Sequence, residues 1–462
     1  MKYAVITFGC RVNQADSLGV EEQLIARGGV ASTPDAADLV VVNTCSVTAT
    51  ADQGARQTIR RVARDNPNAR IVVTGCYATR EPDAVAALPN VLRVVPNDDK
   101  PRLIPLITKA TAEHAEIAGA LFSADSANSA VAFGDGPCGA TIEPGVMGRT
   151  AYTLRVQTGC DEPCSYCIIP STRGHSRSTP MAELLREIDR VVFAGFKEIA
   201  LTGVHLGSYG RDLTPATSLI GLLRAIDERV RLKADTTPDA QRVPLKAHTT
   251  PDVRDVRSVR LQPDLLFRIS SLEPMDCTPE IVDLVATGET FAPHFHLPVQ
   301  HASDRLLTAM RRPYTIASYA ALVEGIRARI PRVSIGSDVI VGFPGETDED
   351  FEQLASYLER SPLTHVHVFP YSDRPGTDAS RLPHRVHGSI IRERARRIRD
   401  IAARLAARFR DAQVGTTHRA LTLEDGSLAV TGNYLKVRIP PGRSRNEWVR
   451  VRIGESSNWV IE

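Results

Sequence analysis

Three cysteines, Cys160, Cys164 and Cys167, stand in the run TLRVQTGCDEPCSYCIIP, at the end of a stretch that reads as a strand. Thiolates at Cys-x-x-x-Cys-x-x-Cys spacing can wrap three corners of a 4Fe-4S cube. Such a cube normally takes four protein thiolates, so one iron is left open to a ligand that is not protein. A zinc site is the alternative, but structural zinc takes four ligands in paired spacings, and no second pair lies near this loop. Three further cysteines, Cys10, Cys45 and Cys76, each end an apolar run: KYAVITFGC, ADLVVVNTC and ARIVVTGC. If those runs are neighbouring parallel strands, about 4.8 Å apart, their carboxyl ends bring the thiols together and a second three-thiolate cluster follows. Buried core cysteines are the alternative. The strand-to-helix turn at each one, with Gly9, Thr44 or Gly75 before it, favours ligation.

The elements that must position these thiols follow from the spacing. Cys10, Cys45 and Cys76 are separated by 35 and 31 residues, the length of one strand, one helix and their loops, which predicts a parallel α/β domain over 1–112. Residues 113–147, rich in Ala, Ser and Gly, read as a linker. A second α/β unit over 148–385 has strand-like runs YTLRVQ, EIALTGV, LLFRIS, HFHLPV, VSIGSDVIVGF and HVHVFPY with amphipathic stretches between them. Six such units predict a partial (βα)6 barrel whose site lies at the carboxyl ends of its strands, where the Cys160 loop begins. A polar insertion at about 229–264, in which LKADTTPD recurs as LKAHTTPD, interrupts it and is too polar to offset the entropy of ordering. The stretch 386–462 is expected to form an Arg-rich helix and a small antiparallel β-barrel.

The formal net charge of +2 hides an asymmetry: residues 386–462 hold 15 Lys and Arg against 8 Asp and Glu, a balance of +7, leaving −5 elsewhere. Lys436, Arg438, Arg450 and Arg452 interleave with strand residues beside Tyr434 and Trp448. That mixture suits RNA through phosphate contact and stacking, although a solvated Arg face and ordinary packing of Trp448 are the plainer alternatives. Composition, with 42% hydrophobic and 24% charged residues, is that of a globular protein. The short apolar N-terminus reads as a strand rather than a signal peptide, and no apolar run is long enough for a membrane span. A cytoplasmic location is expected, with eight cysteines serving metal or redox chemistry rather than disulfides.

The segments ITFGCRVNQADS, VVNTCSVTATAD, VVTGCYA, VQTGCDEPCSYCIIPSTRGHSRS, ALTGVHLGSYG, RISSLEP, HLPVQHASDRLLTAMRRPYT and DVIVGFPGETDEDF together resemble the radical S-adenosylmethionine methylthiotransferases over nearly the whole chain. NTCSVTATADQGARQTIRR and LTGVHLGSYG are most similar to the branch acting on threonylcarbamoyladenosine at tRNA position 37. The resemblance implies an N-terminal domain holding an auxiliary cluster, a radical barrel and a C-terminal RNA-binding TRAM barrel. It implies two 4Fe-4S clusters and S-adenosylmethionine as cofactors. Cys10, Cys45 and Cys76 would ligate the auxiliary cluster, and Cys160, Cys164 and Cys167 the radical-generating one. Tyr166 would lie beside the cofactor adenine through its backbone. Gly203 would let the chain approach the methionine end, although a Gly after a strand is commonly only a turn. Glu273 and Asp338 are candidates for cofactor or substrate contact. Arg11 stands where Lys is commoner, Pro163 stiffens the cluster loop, and Cys138 and Cys277 fall outside both trios.

The chemistry so implied is replacement of a hydrogen on carbon 2 of the modified adenine by a methylthio group. Hydrogen abstraction by a 5′-deoxyadenosyl radical, sulfur insertion and methylation by a second S-adenosylmethionine would accomplish it, with no protein general base. The implied partners are a tRNA anticodon stem-loop, an electron donor such as flavodoxin or ferredoxin, and a sulfur source, with no membrane. Two other substrates fit the family, isopentenyladenosine in tRNA and an aspartate of a ribosomal protein. A non-enzymatic iron-sulfur electron carrier with an RNA-binding tail would need fully ligated clusters, which two three-cysteine sets do not supply.

Overall fold

The β-branched runs near the N-terminus form the strands they predict. The computed structural model of the chain describes residues 1–112, 144–145, 149–234, 264–454 and 460–461. Lys2–Thr7, Leu39–Thr44 and Arg70–Gly75 lie side by side in a parallel sheet, extended by Val30–Ala31 at one edge and Val91–Val95 at the other. Leu39–Thr44 is buried at every position, as a central strand covered on both faces must be. Val40 and Val42 pack on one side against Ala55, Ile59 and Val62 of the helix Ala49–Asp65. Leu39 and Val41 pack on the other against Val20 and Leu24 of the helix Arg11–Ile25. The edge strand Val30–Ala31 was not anticipated, because it is two residues long, exposed, and has no apolar run to signal it.

Six parallel strands form the second unit. In spatial order they are Tyr152–Arg155, Glu198–Thr202, Leu266–Ile269, His294–His296, Ser334–Val341 and His365–Pro370, with a Phe267–Phe291 bridge joining the two halves. Alternation along each strand sends Phe267, Ile269, Phe295, Ile335 and Val366 into the core under the outer helices. Their neighbours, among them Arg268, His294, His296, Asp338, His365 and His367, turn to the opposite face. Among the described residues the first and last strands do not pair, so the barrel is open along one side. The N-terminal domain bridges that opening. Arg155 on the first strand pairs with Asp16; beyond the last strand, Ser372 Oγ accepts from Ala49 N at 2.9 Å and Arg374 pairs with Asp52 at 2.7 Å.

Two boundaries differ from the sequence expectation. The helix Leu219–Ala234 continues through the first residues assigned to the polar insertion, with Arg229 paired to Asp189 and Val230 buried, because its apolar spacing outlasts the change in composition. The Arg-rich helix Gly388–Asp411 packs on the barrel rather than beside the small β-domain. Ala395, Ile398, Ile401 and Leu405 join the barrel core, while Arg394 and Arg397 pair with Glu346, Asp348 and Glu352. Part of its charge is thus spent within the protein, while Arg392, Arg396, Arg399 and Arg410 remain exposed. The strands Thr417–Leu423, Leu428–Thr431, Lys436–Arg438, Trp448–Arg452 and Val460–Ile461 form one antiparallel sheet. The expected linker apart from residues 144–145, the repeat from Asp235 onward and Cys138 lie outside the described residues. No helix among the described residues is long and apolar enough to cross a membrane.

Candidate functional site

Cys10, Cys45 and Cys76 lie at the carboxyl ends of three neighbouring strands, and two glycines let them draw close. Gly9 has φ +88°, and a Cβ there would fall 2.6 Å from Cys45 Sγ. Gly75 has φ +96°, and a Cβ there would fall 2.2 Å from Thr44 O. Neither position accepts an ordinary side chain. Cys10 is exposed, Cys45 and Cys76 are buried. Burial pushes the Cys45 thiol up to about 12, with Cys10 and Cys76 adding to the shift; a metal replaces that proton outright when it binds.

The second trio sits on the loop after the barrel's first strand. Burial also raises the Cys167 thiol to about 12. Arg312 Nη1 donates to Cys164 Sγ at 3.1 Å, and the same guanidinium pairs with Glu273. Burial pulls the His205 imidazole down, but Asp276, 2.7 Å from Nε2, and Cys160 together lift it to about 10. Neither Arg312 nor His205 was signalled by spacing, since each meets its cysteine only through the fold. Tyr166 packs with Met310, Ile340 and Phe343. Gly203 lies against Gln157 and Leu206, where a Cβ would approach both to 3.0 Å. Among the described residues neither trio gathers its three sulfurs within 4.8 Å of one another, whereas sulfurs around a single zinc would stand about 3.8 Å apart. Neither trio therefore has the spacing of thiolates around one tetrahedral ion.

A five-residue helix, Ile169–Arg173, joins the two trios. It begins just after Cys167 and ends against the N-terminal domain, into which the Arg173 side chain reaches. Thr172 O accepts from Asn97 Nδ2 at 2.8 Å, and that same amide lies 3.6 Å from Cys76 Sγ. Arg173 reaches Asp16 Oδ2 at 3.0 Å, where Lys100 Nζ also arrives at 2.8 Å and Arg155 completes the cluster. Burial pushes the Asp16 carboxyl up, but the cations, Lys100 foremost, hold it well below the usual carboxylate range. Three cations on one buried carboxylate leave net positive charge beneath Cys10 and Cys76, which suits thiolates carrying negative charge.

A cavity of about 190 Å³ opens between the domains, lined by Val47 and Thr48 shortly after Cys45, by Tyr166 and Cys167, and by Gln300 and Asp338 of the barrel. Asp338 lies 3.1 Å from His296 Nε2, and their ligand atoms gather with one of His367 within 4.8 Å. Nearby His365 and, deeper, His301 are each lowered by burial to about 4. Both are neutral in the fold but would protonate near pH 6.5 in the unfolded chain, which therefore binds more protons between about pH 4 and 6.5. The stability that these two histidines contribute is thus complete above about pH 6.5 and is lost as pH falls toward 4, by roughly 3 kcal/mol for His301 alone. Circular-dichroism melts should show a Tm that declines as pH falls below 6.5; a Tm independent of pH between 6.5 and 4 refutes the assignment.

The C-terminal sheet leaves Lys436, Arg438, Arg450 and Arg452 exposed. Its aromatics behave differently from the sequence expectation. Trp448 Nε1 donates to Asp264 O at 2.6 Å under the Arg419 guanidinium, and Tyr434 turns into the barrel, 4.6 Å from the His294 ring. Both aromatics contact the barrel, although Tyr434 stays partly exposed beside the cations.

Residues 2–96 match the model of the uncharacterized protein family UPF0004, and residues 154–358 that of the radical SAM superfamily. The chain is 33% identical, over 98% of its length and all of the relative, to the threonylcarbamoyladenosine tRNA methylthiotransferase MtaB of Aquifex aeolicus. To the Bacillus subtilis protein of that name it is 33% identical over 87% of this chain and 80% of the relative. It is 30% identical, over its full length and 91% of the relative, to the tRNA-2-methylthio-N(6)-dimethylallyladenosine synthase of Chloroflexus aurantiacus. Among solved structures, the radical S-adenosylmethionine methyltransferase TsrM of Kitasatospora setae, with cobalamin and a [4Fe-4S] cluster bound, shares the fold at a TM-score of 0.53. It is 15% identical, with 82% of this chain and 76% of that one covered.

Proposed function

Since the chain belongs to the radical S-adenosylmethionine tRNA methylthiotransferases, we propose that it places a methylthio group on carbon 2 of N6-threonylcarbamoyladenosine at position 37 of tRNA. Two 4Fe-4S clusters and S-adenosylmethionine supply, when bound, the radical, the sulfur chemistry and the methyl group. Cys160, Cys164 and Cys167 would hold the cluster that binds S-adenosylmethionine, and Cys10, Cys45 and Cys76 the auxiliary one. The observation that best supports the reading is the shared cavity: Cys167 and the residues following Cys45 line one space.

The chain's own residues do the positioning. Arg312 neutralises the buried Cys164 side of the loop while held by Glu273. Lys100 and Arg173 supply positive charge beneath the auxiliary thiolates. Tyr166 and Ile340 keep the cavity wall apolar, which excludes water from a reactive radical. Gly203 would give the cofactor's methionine end close backbone approach. Lys436, Arg438, Arg450 and Arg452 would neutralise phosphates of the anticodon stem-loop. A cytoplasmic flavodoxin- or ferredoxin-class donor would supply electrons, and an inorganic or carrier-borne sulfide the sulfur.

Mass spectrometry of tRNA nucleosides from a strain lacking the gene tests the substrate. The methylthio derivative of threonylcarbamoyladenosine should vanish, leaving unmodified threonylcarbamoyladenosine in its place, while the methylthio derivative of isopentenyladenosine persists. Persistence of the first mark overturns the reading.

A further inference from the structure

We propose that Arg11 is the receptor for the free carboxylate of the threonylcarbamoyl group, and so determines which modified adenosine the protein accepts. The inference rests on the substrate reading above and deepens it.

Arg11 follows Cys10 directly and opens the helix Arg11–Ile25. Its guanidinium leaves the N-terminal domain and reaches into the barrel, where Nη1 lies 3.4 Å from Ser270 Oγ and Nη2 lies 3.2 Å from Tyr434 Oη. The three residues come from three different parts of the chain, so the arrangement exists only in the assembled protein. Both partners are neutral hydroxyls at long hydrogen-bond distance. Among the described residues no carboxylate stands within 4.0 Å of Arg11 in an ion pair.

The other charged groups facing this space are matched. Arg268 is paired with Glu198 at 2.9 Å, Arg312 with Glu273, and His296 with Asp338 at 3.1 Å. His294 and His365 are held neutral, by burial first, with the Arg11 charge itself adding to the effect at His294. Arg11 is therefore the cation on this wall that lacks a counter-charge among the described residues. A half-buried guanidinium without an acid is costly until an anion arrives, and its planar fork matches a carboxylate with two parallel hydrogen bonds. Tyr434 Oη accepts from Arg11, which leaves its own proton free to donate to the same carboxylate.

The threonylcarbamoyl group carries a carboxylate on a ureido link to N6, whereas an isopentenyl group and unmodified adenosine offer no charge there. A neutral group pressed against Arg11 would leave the guanidinium unpaired and desolvated, and so be disfavoured. A backbone phosphate of the RNA is the other anion that could meet it, and the experiment separates the two.

The test uses the full chain with both clusters reconstituted and iron content matched. Affinities are measured for two synthetic anticodon stem-loops, one with N6-threonylcarbamoyladenosine at position 37 and one with adenosine. The wild type should prefer the modified stem-loop. Arg11→Gln should lose roughly 10- to 100-fold on the modified stem-loop and little on the other, collapsing the preference. Arg11→Lys should keep part of it, and Tyr434→Phe should cost a smaller part. An equal loss on both stem-loops, the signature of a phosphate contact, overturns the proposal, as does an unchanged preference in Arg11→Gln. A wild type that binds both stem-loops alike instead overturns the substrate reading itself.

Discussion

A Cys164→Ala protein should make no 5′-deoxyadenosine and hold about half the iron of the wild type, while a Cys45→Ala protein should still cleave S-adenosylmethionine yet transfer no methylthio group. The asymmetry follows from the two trios being carried on separate supports. Cys164 sits on the loop after the barrel's first strand, where Arg312 holds its sulfur at 3.1 Å; Cys45 closes a strand of the N-terminal sheet. With three thiolates per cluster there is no spare ligand, so two remaining cysteines hold a cube weakly and the iron falls from about eight to about four per chain. Iron quantitation and chromatography of the nucleoside product read the two effects apart. Cleavage surviving in Cys164→Ala, or both variants losing all their iron, defeats the assignment of two independent centres.

Asp16→Ala should be the most damaging change outside the cysteines. The carboxylate is almost fully buried and meets Lys100, Arg155 and Arg173, of which Lys100 and Arg173 are themselves only 5% and 3% exposed. Its removal leaves two buried cations without a counter-charge, at a cost of about 3–5 kcal/mol. Because Arg155 and Arg173 belong to the barrel and Lys100 to the N-terminal domain, the loss falls on the contact between them. Differential scanning calorimetry should record a Tm lowered by roughly 10 °C, and limited proteolysis should separate the N-terminal domain from the rest. Asp16→Asn keeps the shape and loses the charge, so it should fail nearly as badly; a normal Tm in both variants removes the hub from any structural role.

The strands that end in Cys10, Cys45 and Cys76 were legible because each is a β-branched run bounded by a turn signal, and the loop holding Cys160, Cys164 and Cys167 because its ligands are local in sequence. The Asp16 hub was not legible: Lys100 is 84 residues away, Arg155 139 and Arg173 157, and no periodicity connects positions so far apart. The same reason hid Arg312 and His205. Charge density left the role of the helix Gly388–Asp411 open, because composition does not reveal that acids on the neighbouring helix Asp348–Arg360 pair with three of its arginines. Tyr434 and Trp448 stayed open for a related reason, since an aromatic beside cations reads alike whether it stacks on a base or docks one sheet onto another.

The helix Ile169–Arg173 carries one more consequence, for the order in which the protein matures. Arg173 lies six residues beyond Cys167 along the same backbone, and its far end is fastened inside the other domain. Whatever fixes the cysteine loop therefore pre-pays part of the entropy of seating that arginine, and whatever seats the arginine helps preform the loop. During assembly the cysteine loop and the docked arginine therefore settle together, each favouring the other's final position.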